Sequence, residues 1–236
     1  MPSEWIDLTT PDGPMRTYVA RPESSAPRAG IVVFQEAYGV NDHIQDVTRR
    51  FAQLGLVAAA PELFHRTVRG FDAPYDTEDA WSAIEPHYTA LTANGLSDDA
   101  QAAYDFLARE ASVKSIANAG FCLGGRASYV ANARAPFAAA ISFYGGGIAP
   151  DLLGLAPKQH GPILMFWGGL DAHIPPENYR AVADALDAAK KTQEQVVFSQ
   201  AGHGFFCDQR KSYNAQAAQQ AWALSVAFLR AYGVIG

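Results

Sequence analysis

The sequence predicts an α/β protein: a mostly parallel central sheet of about eight strands, led by an antiparallel hairpin and flanked by helices on both faces. Three observations carry this. Short apolar, β-branched runs alternate with longer amphipathic stretches along nearly the whole chain. The first two runs are separated only by Pro11-Asp12-Gly13, a hairpin-type turn. The later runs have helical patterns between them, as expected of strands joined by crossover helices in a parallel sheet.

The hairpin is expected to pair residues 5–9 with 16–21. A buried strand follows at 31–35, then a helix over 42–54 that ends at Gly55. Residues 56–60 read as the next strand, closed by Pro61. The remaining strands are expected at 115–121, 138–143, 163–167 and 195–199. Helical patterns cover 98–109, 124–133, 176–189 and 213–231; the last is alanine-rich, with Trp222, Val226 and Leu229 at helical spacing. Residues 65–95 are the least regular part, holding Arg66, Arg69, Trp81, His87 and Tyr88. A segment of that length fits a cap over a substrate site, and a helical crossover with an exposed surface fits it equally. No low-complexity linker or internal repeat divides the chain, so residues 1–236 read as a single domain.

The bulk composition narrows the function. Of the 236 residues, 49% are apolar and 18% charged, which suits a chain with a core of its own. The formal charge of -6 gives no general attraction to nucleic acid or anionic lipid, so neither a nucleic-acid nor a membrane partner is expected. An acidic substrate needs a local cationic pocket. The N-terminus lacks the basic start and apolar stretch of a signal peptide, and no apolar run approaches the ~20 residues of a membrane span. Two cysteines, Cys122 and Cys207, indicate no disulfide framework and point to a reducing compartment, most simply the cytoplasm.

The most informative stretch is Gly120-Phe121-Cys122-Leu123-Gly124-Gly125, which follows an apolar strand and opens a helix. Small residues on both sides let the backbone turn sharply around an exposed side chain. The Cys122 sulfur then faces a helix N-terminus, whose partial positive charge favours a thiolate, and the Leu123 amide points where an oxyanion develops. Cysteine also serves as a small buried hydrophobe and glycines as close-packing residues, so the motif alone weighs the two readings evenly. The partners tip the balance. Asp171 follows the strand 163–167 through Gly168-Gly169-Leu170, and His203 follows the strand 195–199 within Gly202-His203-Gly204. In a parallel sheet the carboxyl ends of the strands share one edge, so the three converge there. His203 can move a proton, and Asp171 can fix its tautomer. The chain order nucleophile, acid, histidine is that of α/β-hydrolases. His173 competes for the loop of Asp171; His43, His65, His87 and His160 read as surface or loop residues without metal-ligand spacing. Neither a metal mechanism nor a cofactor is expected.

These residues resemble the dienelactone hydrolase family (carboxymethylenebutenolidases) of the α/β-hydrolase fold, over nearly the whole chain. The resemblance rests on Gln35-Glu36-Ala37-Tyr38-Gly39-Val40-Asn41, the Cys122 turn, Gly168-Gly169-Leu170-Asp171 and Gly202-His203-Gly204-Phe205. It implies that Glu36 lies near the thiol at rest and helps form the thiolate when substrate displaces it. It also assigns a second oxyanion donor to the Ala37 amide, beside that of Leu123. Tyr38 and Tyr144 fall at pocket positions, and Trp81 and Phe205 are further candidates for the substrate wall. One departure stands out: where the family carries an arginine shortly after the histidine, this chain has Cys207. Arg210 lies further on, its reach into the site open, and Glu78 and Trp81 stand where a second arginine is expected. Without a bidentate clamp, a carboxylate-bearing lactone is expected to bind poorly.

The sequence thus points to a hydrolase that cleaves a small ester or lactone through a cysteine thiolate and a thioester. A thiol acyltransferase or thioesterase, and a non-catalytic ligand-binding protein on the same fold, are the alternatives. A redox role for Cys122 and Cys207 ranks low, because they form no C-x-x-C. The expected partner is a small-molecule ester or lactone; the oligomeric state is open and a monomer is compatible with the sequence.

Overall fold

The structure, a computed structural model, describes residues 2–23, 29–110 and 112–236. Its strands are β1 (Ser3–Thr10), β2 (Gly13–Ala20), β3 (Ala29–Phe34), β4 (Leu56–Pro61), β5 (Ser115–Phe121), β6 (Ala139–Phe143), β7 (Ile163–Gly168) and β8 (Gln193–Phe198). They form one sheet in the order β1-β2-β4-β3-β5-β6-β7-β8. The β1–β2 and β2–β4 pairs are antiparallel, and every other pair is parallel. The carboxyl ends of β3, β5, β6, β7 and β8 therefore open on a single edge.

Burial explains the strand sequences. Every residue of β3, β4, β6 and β7 is buried, as both faces of a central parallel strand are covered by helices. The edge strand β8 is half exposed and carries Gln193, Glu194 and Gln195. Phe34, Phe121, Phe143 and Phe166 are fully buried, each contributing about 1.5–3 kcal/mol relative to exposure.

The helices are α1 (Asp42–Gln53), α2 (Ala80–Thr89), α3 (Ala93–Arg109), α4 (Leu123–Arg134), α5 (Pro176–Ala188) and α6 (Ala215–Ala231), with a short 3-10 turn at Leu153–Lys158. Among the described residues, no helix is long and apolar enough to cross a membrane. Two differences from the sequence-based expectation have local causes. Helix α3 starts five residues earlier than 98, because the Thr92 hydroxyl caps it by accepting from the Gly95 N–H at 3.0 Å. The irregular 65–95 segment contains α2, whose pattern is obscured by the internal Pro86.

His43, expected at the surface or in a loop, is buried on a helix instead, whereas His65 lies in a turn as expected. Asn41 caps α1 by accepting from the Ile44 N–H, and this sets His43 on the inward face with Ile44 and Val47. His65 lies 3.0 Å from the fully buried Asp99, which Arg66 also pairs with at 2.8 Å.

Candidate active site

At the end of β5 the chain turns within one residue into α4, and Cys122 occupies that turn with φ 55° and ψ -113°. A non-glycine residue at positive φ is strained, so its surroundings must hold it. The Cys122 N–H donates to the Phe143 carbonyl at 3.0 Å, and its own carbonyl accepts from Gly125 N–H at 2.9 Å. The flanking glycines are sterically required. A Cβ on Gly124 would lie 2.6 Å from the Gln35 carbonyl oxygen and overlap that of Phe34, and one on Gly125 would lie 2.6 Å from the Phe143 oxygen. A Cβ on Gly120 would overlap the Gly124 carbonyl. Helix α4 thus presses against β3 and β6 at its first turn, which aims its free N–H groups along the sheet edge.

The two loops after β7 and β8 bring the partners. Gly168 and Gly169 let them touch: a Cβ on Gly168 would lie 2.6 Å from the Ala201 oxygen, and one on Gly169 2.7 Å from Ser199 Cα. His203 Nδ1 is 2.7 Å from Asp171 Oδ2, and His203 Nε2 is 3.0 Å from Cys122 Sγ. The Asp171 side chain is fully buried, and its Oδ1 accepts from the His173 and Ile174 N–H groups at 2.8 and 3.2 Å. Both carboxylate oxygens are therefore committed. Burial of His203 disfavours its charged form, but negative charge at the Cys122 sulfur and the hydrogen bond to Asp171 outweigh burial and raise the imidazole to about 10. The arrangement favours an imidazolium held between Asp171 and the Cys122 sulfur.

Cys122 and His203 open into a cavity of about 530 Å³. Ala37 and Leu123 line it, and Leu123 is the first residue of α4, so its N–H has no acceptor within the helix. Of the expected wall residues, Tyr38 and Trp81 line the cavity, and Trp81 is half exposed at its rim. Tyr144 and Phe205 do not: both are fully buried behind it, their rings 5.2 Å apart, and the Tyr144 ring packs edge-on to His203 at 5.2 Å. They buttress the imidazole. Ile84, Tyr88 and His173 also line the cavity; α2, absent from the sequence-based elements, supplies the first two.

Glu36, at the end of β3, is fully buried. Its Oε2 accepts from Tyr75 Oη at 2.8 Å and its Oε1 faces Arg210 Nη1 at 3.3 Å, while the sulfur has His203 as its hydrogen-bond partner. Arg210, whose reach the sequence leaves open, lines the cavity. Two successive turns, Cys207 N–H to Gly204 O and Arg210 N–H to Cys207 O, fold the chain back on itself. The guanidinium then sits against Gly204, where a Cβ would fall 2.6 Å from Arg210 Cζ, and over the Tyr38 ring at 5.4 Å. Burial opposes its charge, but Glu36 holds it charged. Tyr75 carried no signal in the sequence beyond lying in the irregular segment.

On the other side of Glu36, one ligand atom each from Glu36, His43 and Cys207 lie within 4.8 Å of one another, all three residues buried. Burial, then the Glu36 charge, pushes the Cys207 thiol up to about 12.

The chain is similar to known proteins over most of its length. A model of the "Dienelactone hydrolase family" matches residues 15–233. A Synechocystis protein named "Putative carboxymethylenebutenolidase" is 35% identical over 213 residues, covering 87% of each chain. A crystal structure of a Klebsiella pneumoniae protein named as a putative dienelactone hydrolase superposes with a TM-score of 0.86 at 28% identity, covering 97% of this chain and 98% of that one. The dienelactone hydrolase-like promiscuous phosphotriesterase P91, from metagenomic libraries, also gives 0.86, at 27% identity and with 100% and 99% of the two chains covered.

Proposed function

The chain belongs to the dienelactone hydrolase family and is a carboxylic ester hydrolase; we propose that it cleaves a small ester or lactone by attack of the Cys122 sulfur. The observation that carries this reading is the continuous path from Asp171 through His203 to Cys122, in steps of 2.7 and 3.0 Å, ending in a cavity. The relatives' naming as carboxymethylenebutenolidases supports a lactone among the substrates.

The reaction follows from the charges. The sulfur adds to the acyl carbon, and the carbonyl electrons move to an oxygen held by the Leu123 and Ala37 amides. Collapse breaks the bond to the alkoxide, which takes the Nε2 proton of the His203 imidazolium, leaving a neutral imidazole and a thioester. In a lactone that alcohol stays attached, so the ring opens on the enzyme. Acylation also removes the negative sulfur, a main support of the high His203 pKa, so the imidazole becomes a base when one is needed. It draws a proton from water, the resulting hydroxide attacks the thioester, and the acid leaves as the thiolate–imidazolium pair re-forms.

Tyr38, Trp81, Ile84 and Tyr88 give the acyl pocket an apolar wall suited to a compact, partly unsaturated substrate. Arg210 is a cation in that wall already facing Glu36, so an anionic substrate has to compete with Glu36 for it. Neither cysteine is in a disulfide, which suits a reducing compartment and the cytoplasm.

Replacing Cys122 by alanine is expected to abolish turnover of a p-nitrophenyl ester. Iodoacetamide is expected to label Cys122 ahead of the buried Cys207, with activity lost in proportion. Turnover unchanged by Cys122→Ala contradicts the assignment, and product that depends on an added alcohol or thiol acceptor redirects it to acyl transfer.

A further inference from the structure

We infer that Glu36, His43 and Cys207 form a second site, outside the Asp171–His203–Cys122 path, that binds a thiophilic divalent cation such as Zn2+. The donor set is a carboxylate, an imidazole and a thiol, the mixed O, N and S ligands that zinc takes. Their ligand atoms lie within 4.8 Å of one another. Tetrahedral bonds of about 2.0–2.3 Å put neighbouring ligand atoms roughly 3.5 Å apart. Side-chain rotations that close the cluster by about 1 Å therefore bring all three onto one ion.

An independent observation points to a ligand here. His43 is only 3% exposed, and its Nε2 is buried with no hydrogen-bond partner among the described residues. Such a nitrogen is costly unless something occupies its lone pair or takes its proton. Its other nitrogen, Nδ1, lies 3.6 Å from an oxygen of Asp208. A carboxylate that closes this gap to hydrogen-bond distance orients the ring and raises its basicity toward a metal.

The charges also balance. The Glu36 carboxylate, the Cys207 thiolate and the Asp208 carboxylate offset a divalent ion together with the Arg210 guanidinium that faces Glu36. Binding breaks the S–H bond of Cys207, forms the metal–sulfur bond and releases the proton to buffer. A separate cavity of about 170 Å³, lined by His43, Asp46, Arg50 and Asp208, borders the imidazole. An ion in the site ties Glu36, which faces Arg210 at the substrate cavity, to the back of that cavity.

The test uses the full chain carrying Cys122→Ala, so that the only thiol left is Cys207 and the outcome does not depend on hydrolysis. Cd2+ is titrated while the ultraviolet thiolate-to-cadmium charge-transfer band and proton release are recorded. The expected result is saturation at about one Cd2+ per chain with release of about one proton, and displacement of Cd2+ by Zn2+. Adding Cys207→Ser is expected to remove the band, and adding His43→Gln to weaken binding at least tenfold, with the urea midpoint recorded for each variant. No band in the Cys122→Ala chain overturns the inference. So does binding that His43→Gln leaves unchanged, which is readable even where Cys207→Ser fails to fold.

Discussion

Asp171→Asn tests the relay with almost no change of shape. The two carboxylate oxygens have different duties: Oδ1 accepts two backbone N–H groups, from His173 and Ile174, and Oδ2 accepts from His203 Nδ1. An asparagine must keep its oxygen toward the two amides, so its NH₂ faces Nδ1. A neutral imidazole can then only accept at Nδ1, which leaves the proton on Nε2 and no site to take one from Cys122. The imidazolium instead sets a donor against a donor. Losing a charge-assisted hydrogen bond costs about 1.5–3 kcal/mol and leaving a buried donor unmet about 1–3 kcal/mol. The sum, about 2.5–6 kcal/mol, corresponds to roughly 10²–10⁴ in rate. The assay is kcat/KM with p-nitrophenyl acetate, alongside iodoacetamide labelling of Cys122 at neutral pH and urea denaturation to show that the fold persists. Activity within tenfold of the parent, in a folded variant, would falsify the relay.

Three further outcomes follow from the same geometry. Because His203 is raised to about 10, its charged form persists on the acid side of that value and is lost as the pH rises through it. Its ¹⁵N shifts should therefore be those of an imidazolium at pH 8, with a lower midpoint in Cys122→Ala, where the adjacent negative sulfur is gone; a neutral ring at pH 8 in the parent contradicts the ion pair. Gly124→Ala forces a Cβ into the main-chain oxygens of Phe34 and Gln35, which have nowhere to go, and is expected to cost at least about 3 kcal/mol by urea denaturation or to prevent folding. Gly154→Ala meets nothing within 4 Å and serves as the neutral control. Arg210→Leu leaves the fully buried Glu36 with Tyr75 alone, at about 3–5 kcal/mol. Adding Glu36→Gln should recover most of that loss, and strictly additive effects in the double variant would show that the pair is not coupled.

What the sequence disclosed depended on how locally each feature is determined. Strands β3 to β7 were legible because burial on both faces forces continuous apolar runs, and each boundary moved by no more than two residues. Cys122, Asp171 and His203 were legible for a related reason. Each follows a strand directly, and parallel strands that share one edge bring their following loops together whatever their separation in sequence. The glycines around Cys122 strengthened that reading because their requirement is local to one turn.

The features that escaped are set by how loops fold back. Nothing in the spacing of His203 and Arg210 reveals that two successive turns return the guanidinium to Gly204; a count of residues leaves its reach open, whereas the hydrogen bonds put it inside. His43 was misjudged because its exposure depends on which face of α1 turns inward, a matter fixed by the Asn41 cap and not by its own neighbours. Helix α2 was hidden by Pro86, and with it went Ile84 and Tyr88 of the cavity wall. Glu36 shows the same division within one residue. Its position after β3 could be read from the chain, but its partners Tyr75 and Arg210 come from loops 39 and 174 residues away, and only the closed sheet edge brings them to it. Substrate choice depends on those loops, so it is there, and not in the strand-end groups that carry the chemistry, that relatives with the same relay are free to diverge.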